Sequence, residues 1–427
     1  MTVEDQPNRE ELERLIRKMM ESGQLDPEVL AKIAGFSANP SMLSELFGQV
    51  SAMTGETGEP VNWKLAFDQA LEISRKTEKP AMAALEEELE NAFDMARLWL
   101  SEATEFTNPN PPKKLTRSMW AQEAMPLFRE LSEPVANSMA AALNENLGNT
   151  LPPELSEMLA PAQNFIGNAG ASIFAMQLGQ SIGKLSSEVL LSGEIGIPLT
   201  NRPGIITQNL GEFLTGLDTP KSEVVIYLAT RELALASLYS QAGWLREQII
   251  TQVREFAAGL TVDLSGIEDI ARRIDPTDPE SMEQIIEASA MVSPRSEEQD
   301  QALERIETVL ALIEGWVDAT ALEATKRLPN IQAVVEIFNR KRATSGASAK
   351  TFEALLGLEM RPRLRREATL MWQRVAAEIG KDASDSLWSH PDQMPTAPEI
   401  ENPDSLMARI RSGGGDFEDE LRKFLSD

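Results

Sequence analysis

Apolar residues recur at spacings of three and four along most of this 427-residue chain. In Glu10–Glu21, for example, Leu12, Ile16 and Met19 fall on one face of a helix, because an α-helix turns once in about 3.6 residues. Alternating apolar and polar positions, the pattern of a half-buried strand, are scarce. The best candidate, Ile195–Thr200, contains a proline, which limits it to the edge of a sheet. The pattern therefore predicts an all-α protein, or one that is nearly so.

Clusters of proline and glycine divide this helical pattern into regions. The clearest break is Phe106–Thr116, which contains three prolines and two asparagines. We expect an N-terminal helical region over residues 1–112 and a helical core over 113–379. A C-terminal tail over 380–427 follows, because prolines and a run of three glycines interrupt its helical pattern.

The charge of the chain is strongly negative, with 40 basic and 67 acidic residues and a formal net charge of −27. Such a surface repels nucleic acids and anionic membranes, so neither is expected as a partner. There are no cysteines, which excludes disulfides, thiol nucleophiles and thiolate metal ligands. The N-terminus lacks the basic and apolar segments of a signal peptide, and we expect a cytoplasmic protein.

The longest uncharged stretch is Met158–Gly183, which is long enough to cross a bilayer. Several glutamines, asparagines and glycines interrupt it, and we expect a buried helix rather than a membrane span. Glycines such as Gly179 and Gly183 would let a second helix approach closely. The tryptophans at 244, 316 and 372 lie in helical apolar stripes and are expected to pack in the core.

Several short segments, in the same order along the chain, resemble one protein family. They include Gly58–Trp63, Gly183–Leu190, Ile195–Thr200, Arg231–Arg246, Ile274–Pro279, Glu314–Asp318, Gly357–Arg363 and Leu387–Asp392. The family is that of the zincin-like metallopeptidases described as hydrolases in high-GC Gram-positive bacteria. The resemblance implies a mostly helical fold with a zincin-like core and a zinc site between two helices.

In a zincin, the first helix carries two histidines four residues apart and a glutamate beside the first, so that both imidazoles face one zinc ion. The resemblance places Glu232 at the position of this general base and places Arg231 and Leu235 at the two histidine positions. On the second helix, Glu314 matches the third ligand, and Asp318 lies one turn further, where a carboxylate would support the ligands.

The histidine count argues independently against zinc. His390 is the only histidine, and its Ser-His-Pro context is typical of a loop or helix cap. A site that needs two imidazoles cannot be built from it, so we expect no bound zinc. We expect instead that Arg231 pairs with Glu314 or Asp318, because a buried carboxylate without a cation is costly.

Three functions remain open at this point. The chain is interpreted as a catalytically degenerate family member, a pseudoenzyme that binds a peptide or protein. The alternatives are an active hydrolase with a hard cation held by Glu232, Glu314 and Asp318, and a purely structural helical scaffold. The first two interpretations predict helices over Thr219–Ala236 and Arg305–Ala324, packed so that Glu232 lies close to Glu314. The sequence does not indicate an oligomeric state.

Overall fold

Helices form 75% of the structure, which confirms the predicted fold class, all-α or nearly so. A computed structural model describes residues 61–80, 83–150, 171–172, 174–259, 295–345 and 364–412, and the predicted helix at Glu10–Glu21 lies outside them. The helices in chain order are α1 (Trp63–Thr77), α2 (Ala83–Ala103), α3 (Arg117–Thr150), α4 (174–185), α5 (Thr207–Phe213), α6 (Lys221–Gln241), α7 (Trp244–Ala258), α8 (Glu297–Thr325), α9 (Ile331–Ser345), α10 (Arg365–Glu378), α11 (Lys381–Ser386), α12 (Ala397–Glu401) and α13 (Pro403–Ser412). A short 3₁₀ helix, Pro391–Gln393, precedes α12.

Extended structure in the described residues consists of a two-stranded parallel sheet and one isolated antiparallel bridge, between Leu191 and Ile205. Strand β1 (Lys113–Leu115) pairs with β2 (Gly204–Ile206). The predicted strand at Ile195–Thr200 is wrong, because this segment forms the end of a turn followed by bends and irregular backbone. Gly196 has a φ of 83°, in the left-handed region that reverses the chain, so the segment cannot continue as a strand.

The core is built around α6, which is buried on all sides from Glu223 to Leu238. Helices α2 and α8 both pack against it. Helix α8 also packs against α7 and α10, and its contact with α10 is very close. A Cβ atom on Gly315 would lie 2.7 Å from the Cβ of Ala368, so only glycine fits at this point of α8.

The predicted close packing around Gly179 and Gly183 is confirmed. A Cβ atom on Gly179 would lie 2.4 Å from the carbonyl oxygen of Ala66, and one on Gly183 would lie 2.7 Å from the Cβ of Ile73. Helices α4 and α1 therefore meet almost backbone to backbone. The part of this stretch before residue 171 lies outside the described residues. None of the helices in the described ranges combines the length and apolar character that a membrane span requires.

The tryptophans pack as expected. Trp316 and Trp372 are buried, and Trp244 is partly buried against the same core. The ring of Trp372 also stacks on Trp388, with 5.3 Å between the centroids. All the described residues belong to one compact unit, Gly58–Asp427. The region boundaries after residues 112 and 379 stay predictions.

Candidate functional site

Helices α6 and α8 pack against each other and carry the residues that the zincin resemblance singled out. Both predicted helices are confirmed; α6 extends further at its C-terminal end, and α8 extends further at both ends. Helix α8 begins with a capping box, in which Ser296 and Gln299 each bind the backbone of the other. This reciprocal bonding satisfies amides that a helix start leaves without partners.

Arg231 is the central side chain of the site. It is 2% exposed, and its Nη2 lies 2.7 Å from Oε2 of Glu314. Its Nε donates to Oδ1 of Asp318 at 2.6 Å. Because Glu314 and Asp318 are four residues apart on α8, both carboxylates face the same guanidinium group. The predicted pairing of Arg231 with these acids is therefore confirmed, and it involves both of them.

A second guanidinium group reaches the same carboxylates from α9. Nη2 of Arg342 donates to Oε2 of Glu314, and its Nη1 lies 3.8 Å from Oδ2 of Asp318. The ring of Phe338, one turn earlier on α9, lies 5.0 Å from the Arg231 guanidinium carbon and 5.5 Å from that of Arg342. Arginine stacks well on an aromatic ring, so Phe338 supports both cations. We call Arg231, Arg342, Glu314 and Asp318 the arginine cluster.

The cluster is held in its charged form. Burial raises the pKa of Asp318, but the guanidinium groups around it, Arg231 first, reverse this and hold the pKa below its usual value. Burial lowers the pKa of Arg231, and the two carboxylates outweigh that effect and raise it. Opposite charges at hydrogen-bond distance thus stabilise each other where solvent cannot.

Glu232 follows Arg231 directly but has different partners. Its Oε1 accepts hydrogen bonds from the hydroxyl of Ser192 and, at 2.9 Å, from the amide of Gly204. Its Oε2 accepts from the amide of Gly193 at 3.2 Å. Burial raises the pKa of Glu232 to about 7, although these hydrogen bonds and Arg231 act in the opposite direction. The carboxyl group thus ties the turn after α4 to β2.

Leu235 fills the second of the two histidine positions. It is 4% exposed, and its Cδ2 would lie 2.1 Å from a Cβ atom placed on Gly193. The side chain of Leu235 therefore packs directly on the backbone of Gly193. The position offers an apolar contact where a zincin would offer an imidazole nitrogen.

A tight turn from Gly193 to Gly196 lies between Glu232 and Glu314. The amide of Gly196 donates to the carbonyl of Gly193 at 3.0 Å. A Cβ atom on Gly193 would lie 3.7 Å from Oε2 of Glu232, and one on Gly196 would lie 3.3 Å from Oε1 of Glu314. The two carboxylates thus lie at the two ends of one turn, as expected of residues from a single site.

Glu194 in the same turn links it to α9. Its Oε2 accepts from the amides of Leu190 and Leu191, and its Oε1 pairs with Lys341. Lys341 and Arg342 are neighbours, so α9 binds the turn with one cation and the arginine cluster with the next.

Zinc does not fit this set of side chains. Arg231 and Leu235, at the histidine positions, have no lone pair to donate to a metal, and Glu314 is already bound by two guanidinium groups. Nowhere in the described ranges do three or more His, Asp or Glu side chains form a group that could hold a metal ion.

His390 has the role of a cap, as its sequence context predicted. It precedes the 3₁₀ helix Pro391–Gln393, and its Nδ1 accepts from the amide of Asp392 at 3.2 Å. Its side chain is exposed. Nothing in its position links it to the arginine cluster.

Sequence reasoning did not find the residues that enclose the site. Arg342 belongs to a basic run, Arg340 to Arg342, near the end of a helix, and nothing in the run shows which side chain points inward. The four-residue spacing from Phe338 to Arg342 was the one available signal, since it places both on one helix face. Ser192, Gly193 and Gly204 bind Glu232 mainly through their positions in the fold, and no residue pattern marks them.

Comparison with known proteins gives a family and a fold. The sequence profile of the zincin-like metallopeptidases matches residues 61–407. A crystal structure from Chloroflexus aurantiacus, described as a "putative hydrolase with a novel fold", has a similar fold, with a TM-score of 0.57 and 16% sequence identity. The match covers 82% of this chain and 99% of that one. A comparison with curated proteins gives no match.

The profile match spans most of the chain and includes α6 and α8, the helices to which the resemblance assigned the general base and the metal ligands. At this level of identity the structural match supports the fold alone. The chain belongs to the family of zincin-like metallopeptidases.

Proposed function

We propose that this chain is a catalytically inactive member of its family that acts by binding a peptide or protein. The proposal is supported above all by the pairing of Arg231 with Glu314 and Asp318. Metallopeptidase chemistry needs a metal ion that activates water and polarises the scissile carbonyl. Here a permanently charged side chain binds Glu314, assigned to the third ligand position, and Asp318, the supporting carboxylate one turn further.

The partners of Glu232 support the same proposal. A general base must lie within hydrogen-bond reach of the water that it deprotonates. Both oxygens of Glu232 instead accept bonds from Ser192, Gly193 and Gly204, and the residue is 2% exposed. Glu232 therefore stabilises the turn and does not line a groove, so the proposed binding surface lies elsewhere on the molecule.

The test combines a peptidase assay with metal analysis. We expect that the purified chain and its Glu232→Gln variant both leave unfolded casein uncleaved, beside an active zinc peptidase as positive control. We also expect elemental analysis to find no stoichiometric zinc after mild chelation. Cleavage by the wild type but not by the variant would support the competing hypothesis, a metal-dependent hydrolase that uses Glu232.

The proposal extends to the cellular setting. We propose a cytoplasmic protein of a high-GC Gram-positive bacterium, with neither nucleic acid nor a membrane as its partner. The net charge of −27 supports the exclusion of nucleic acid and membrane, because a negatively charged surface repels polyanions and anionic lipid.

A further inference from the structure

A cavity lies beside α8, on the side that faces away from the arginine cluster. Its volume is about 420 Å³, and residues of α2, α8, α10 and α11 line it. On α8 these include Trp316 and Thr320, one turn apart, whereas Glu314 precedes Trp316 by two residues and points to nearly the opposite side of the helix. Pockets that hold small ligands have volumes of roughly 300–1,000 Å³. The cavity is therefore large enough for a ligand and separate from the candidate site.

The residues that line the cavity form a buried floor and an exposed rim. The floor includes Trp316 and Trp372, each 1% exposed, and Asp385, which is 6% exposed. The rim includes Glu102 and Glu323, whose side chains are more than half exposed. A ligand that enters from solvent thus meets apolar indole surface beside a buried carboxyl group. This combination, mostly apolar surface with a few polar groups, is typical of small-molecule sites.

Asp385 forms hydrogen bonds with neutral groups only. Its Oδ2 accepts from the hydroxyl of Thr104 at 2.7 Å and from the amide of Glu105 at 3.0 Å. Burial raises the pKa of Asp385, and these bonds and the more distant charge of Lys381 offset the effect only in part. Because both bonds end on Oδ2, Oδ1 keeps a lone pair with which it can accept a bond from a ligand.

The other charged side chains that line the cavity already have partners of opposite charge. The pairs are Glu102–Arg327, Glu323–Lys326 and Lys381–Glu105. None of the described cations lies within ion-pair distance of Asp385. The hydroxyl of Thr320, a residue that is 7% exposed, also forms no hydrogen bond with another described residue. The cavity therefore offers one carboxylate and one hydroxyl acceptor to a ligand.

We infer that this cavity binds an organic ammonium group against Asp385, of the kind carried by the N-terminus of a peptide or by a small free amine. The inference rests on the proposed function, because it names the surface by which an inactive family member would bind its partner. A buried charge is stable when it is paired, and a hydrogen bond between two charged groups is stronger than one between neutral groups. The indole rings would cover the carbon atoms beside the ammonium group, and aromatic rings attract cations.

The test is calorimetric titration of the full chain at pH 7 with two matched pairs of probes. One pair is benzylamine and benzyl alcohol, and the other is trialanine amide with a free N-terminus and its N-acetylated form. We expect each ammonium probe to bind at least about tenfold more tightly than its neutral counterpart, because only the ammonium group pairs with Asp385. Selective binding of benzylamine alone would assign the site to small amines, and selective binding of the peptide would assign it to N-termini. Either result supports the inference.

Two aspartates of α11 give a matched pair of variants. Asp385→Asn should weaken binding of the ammonium probes at least about tenfold. Asp382→Asn removes the same charge at an exposed position that does not line the cavity, so it should leave the affinity nearly unchanged. The asparagine at position 385 keeps an acceptor oxygen for Thr104 and Glu105, and a thermal melt should show that the variant remains folded.

A second variant blocks the cavity without any change of charge. Ala376 lines the cavity from α10 and is exposed, so Ala376→Phe should fill part of the space and weaken binding at least about tenfold without unfolding the chain. Leu370→Phe, on the same helix but outside the cavity, is the control and should bind as wild type does. This variant keeps the test decisive if Asp385→Asn proves unstable.

Several results would overturn the inference. They are no binding of either ammonium probe, equal binding of both members of each pair, wild-type affinity in Asp385→Asn or Ala376→Phe, and equal weakening by Asp385→Asn and Asp382→Asn. These results are separate from those that test the proposed function. Cleavage of casein or bound zinc would refute inactivity and leave the ammonium site standing, whereas the absence of ammonium binding would refute the site and leave inactivity standing.

Discussion

Two carboxyl groups of the candidate site, Glu232 and Asp318, are stabilised in opposite ways. Glu232 accepts hydrogen bonds from a hydroxyl and two backbone amides, and burial raises its pKa to about 7. Asp318 is bound by arginines, which hold its pKa below the usual value despite burial. Neutral donors therefore fix the position of a carboxyl group without fixing its charge, whereas cations fix both.

The two ways of stabilising a carboxyl group also depend on different parts of the chain. The amides around Glu232 are part of the backbone and stay in place as long as the turn is formed. The arginine cluster depends on two long side chains from different helices, Arg231 and Arg342. Single substitutions should therefore affect the surroundings of Glu232 and of the arginine cluster differently.

The largest effect is expected when the cluster loses its central cation. Arg231→Ala leaves Glu314 and Asp318 with Arg342 as their remaining ion-pair partner among the described residues. Removing one member of a buried ion pair costs roughly 3 kcal/mol or more, and we expect a loss of that size in the free energy of unfolding, measured in urea.

The control for this variant is a surface ion pair. Arg246 pairs with Glu130 and is 46% exposed, so Arg246→Ala should cost no more than about 1 kcal/mol. Equal losses in the two variants would show that the arginine cluster contributes no more than an exposed pair does.

The next largest effect is a change of stability with pH, which is caused by the titration of Glu232. Because its pKa is about 7 in the folded chain against 4.5 ordinarily, the folded state binds more protons between these values. Stability therefore falls as pH rises through this window, by on the order of 3 kcal/mol. Relative to wild type, Glu232→Gln should gain stability between about pH 4.5 and about pH 8, measured as the free energy of unfolding.

Asp318 should not change the stability of the protein over the pH range in which Glu232 does. Its pKa is lowered from 3.8, so its contribution to stability is lost only as pH falls below about 4. The difference between wild type and Asp318→Asn should stay constant from about pH 4.5 to about pH 8. Parallel pH curves for wild type and Glu232→Gln would contradict the proposed difference between the two carboxyl groups.

The smallest effect concerns packing on the Glu232 side. Gly193→Ala places a methyl group 2.1 Å from Cδ2 of Leu235, and such overpacking costs roughly 1–3 kcal/mol. Leu235→Ala removes the clash, so the double variant should be less destabilised than the sum of the single variants. Gly243→Ala, where a Cβ atom meets nothing within 4 Å, should be nearly neutral in the same unfolding assay. Strict additivity would show that the glycine is not needed for this contact.

The sequence was enough to predict the helical fold and the pairing of Arg231 with carboxylates of α8. The order of motifs gave Glu232, Glu314 and Asp318, and the cost of an unpaired buried charge gave the pairing of Arg231. The choice of these positions came from the family resemblance, and periodicity alone shows that Glu314 and Asp318, four residues apart, lie on one face of a helix.

The parts that could not be predicted depend on the folded backbone. The donors to Glu232 include two amides, which every residue except proline possesses, so no residue type marks them. The strand predicted at Ile195–Thr200 failed because Gly196 turns the chain, and the amides of Gly196 and Leu199 bond to carbonyls of Gly193 and Ser192 just before them.

The complete burial of α6 has a consequence for how the protein is made. A ribosome releases the chain from its N-terminus, so α6 emerges before α8, which covers one of its sides. In that interval an apolar helix without a solvent-facing side is open to water and to other nascent chains. The yield of native protein in a cell should therefore depend on how quickly translation proceeds from α6 to α8, and on chaperones that shield α6 meanwhile.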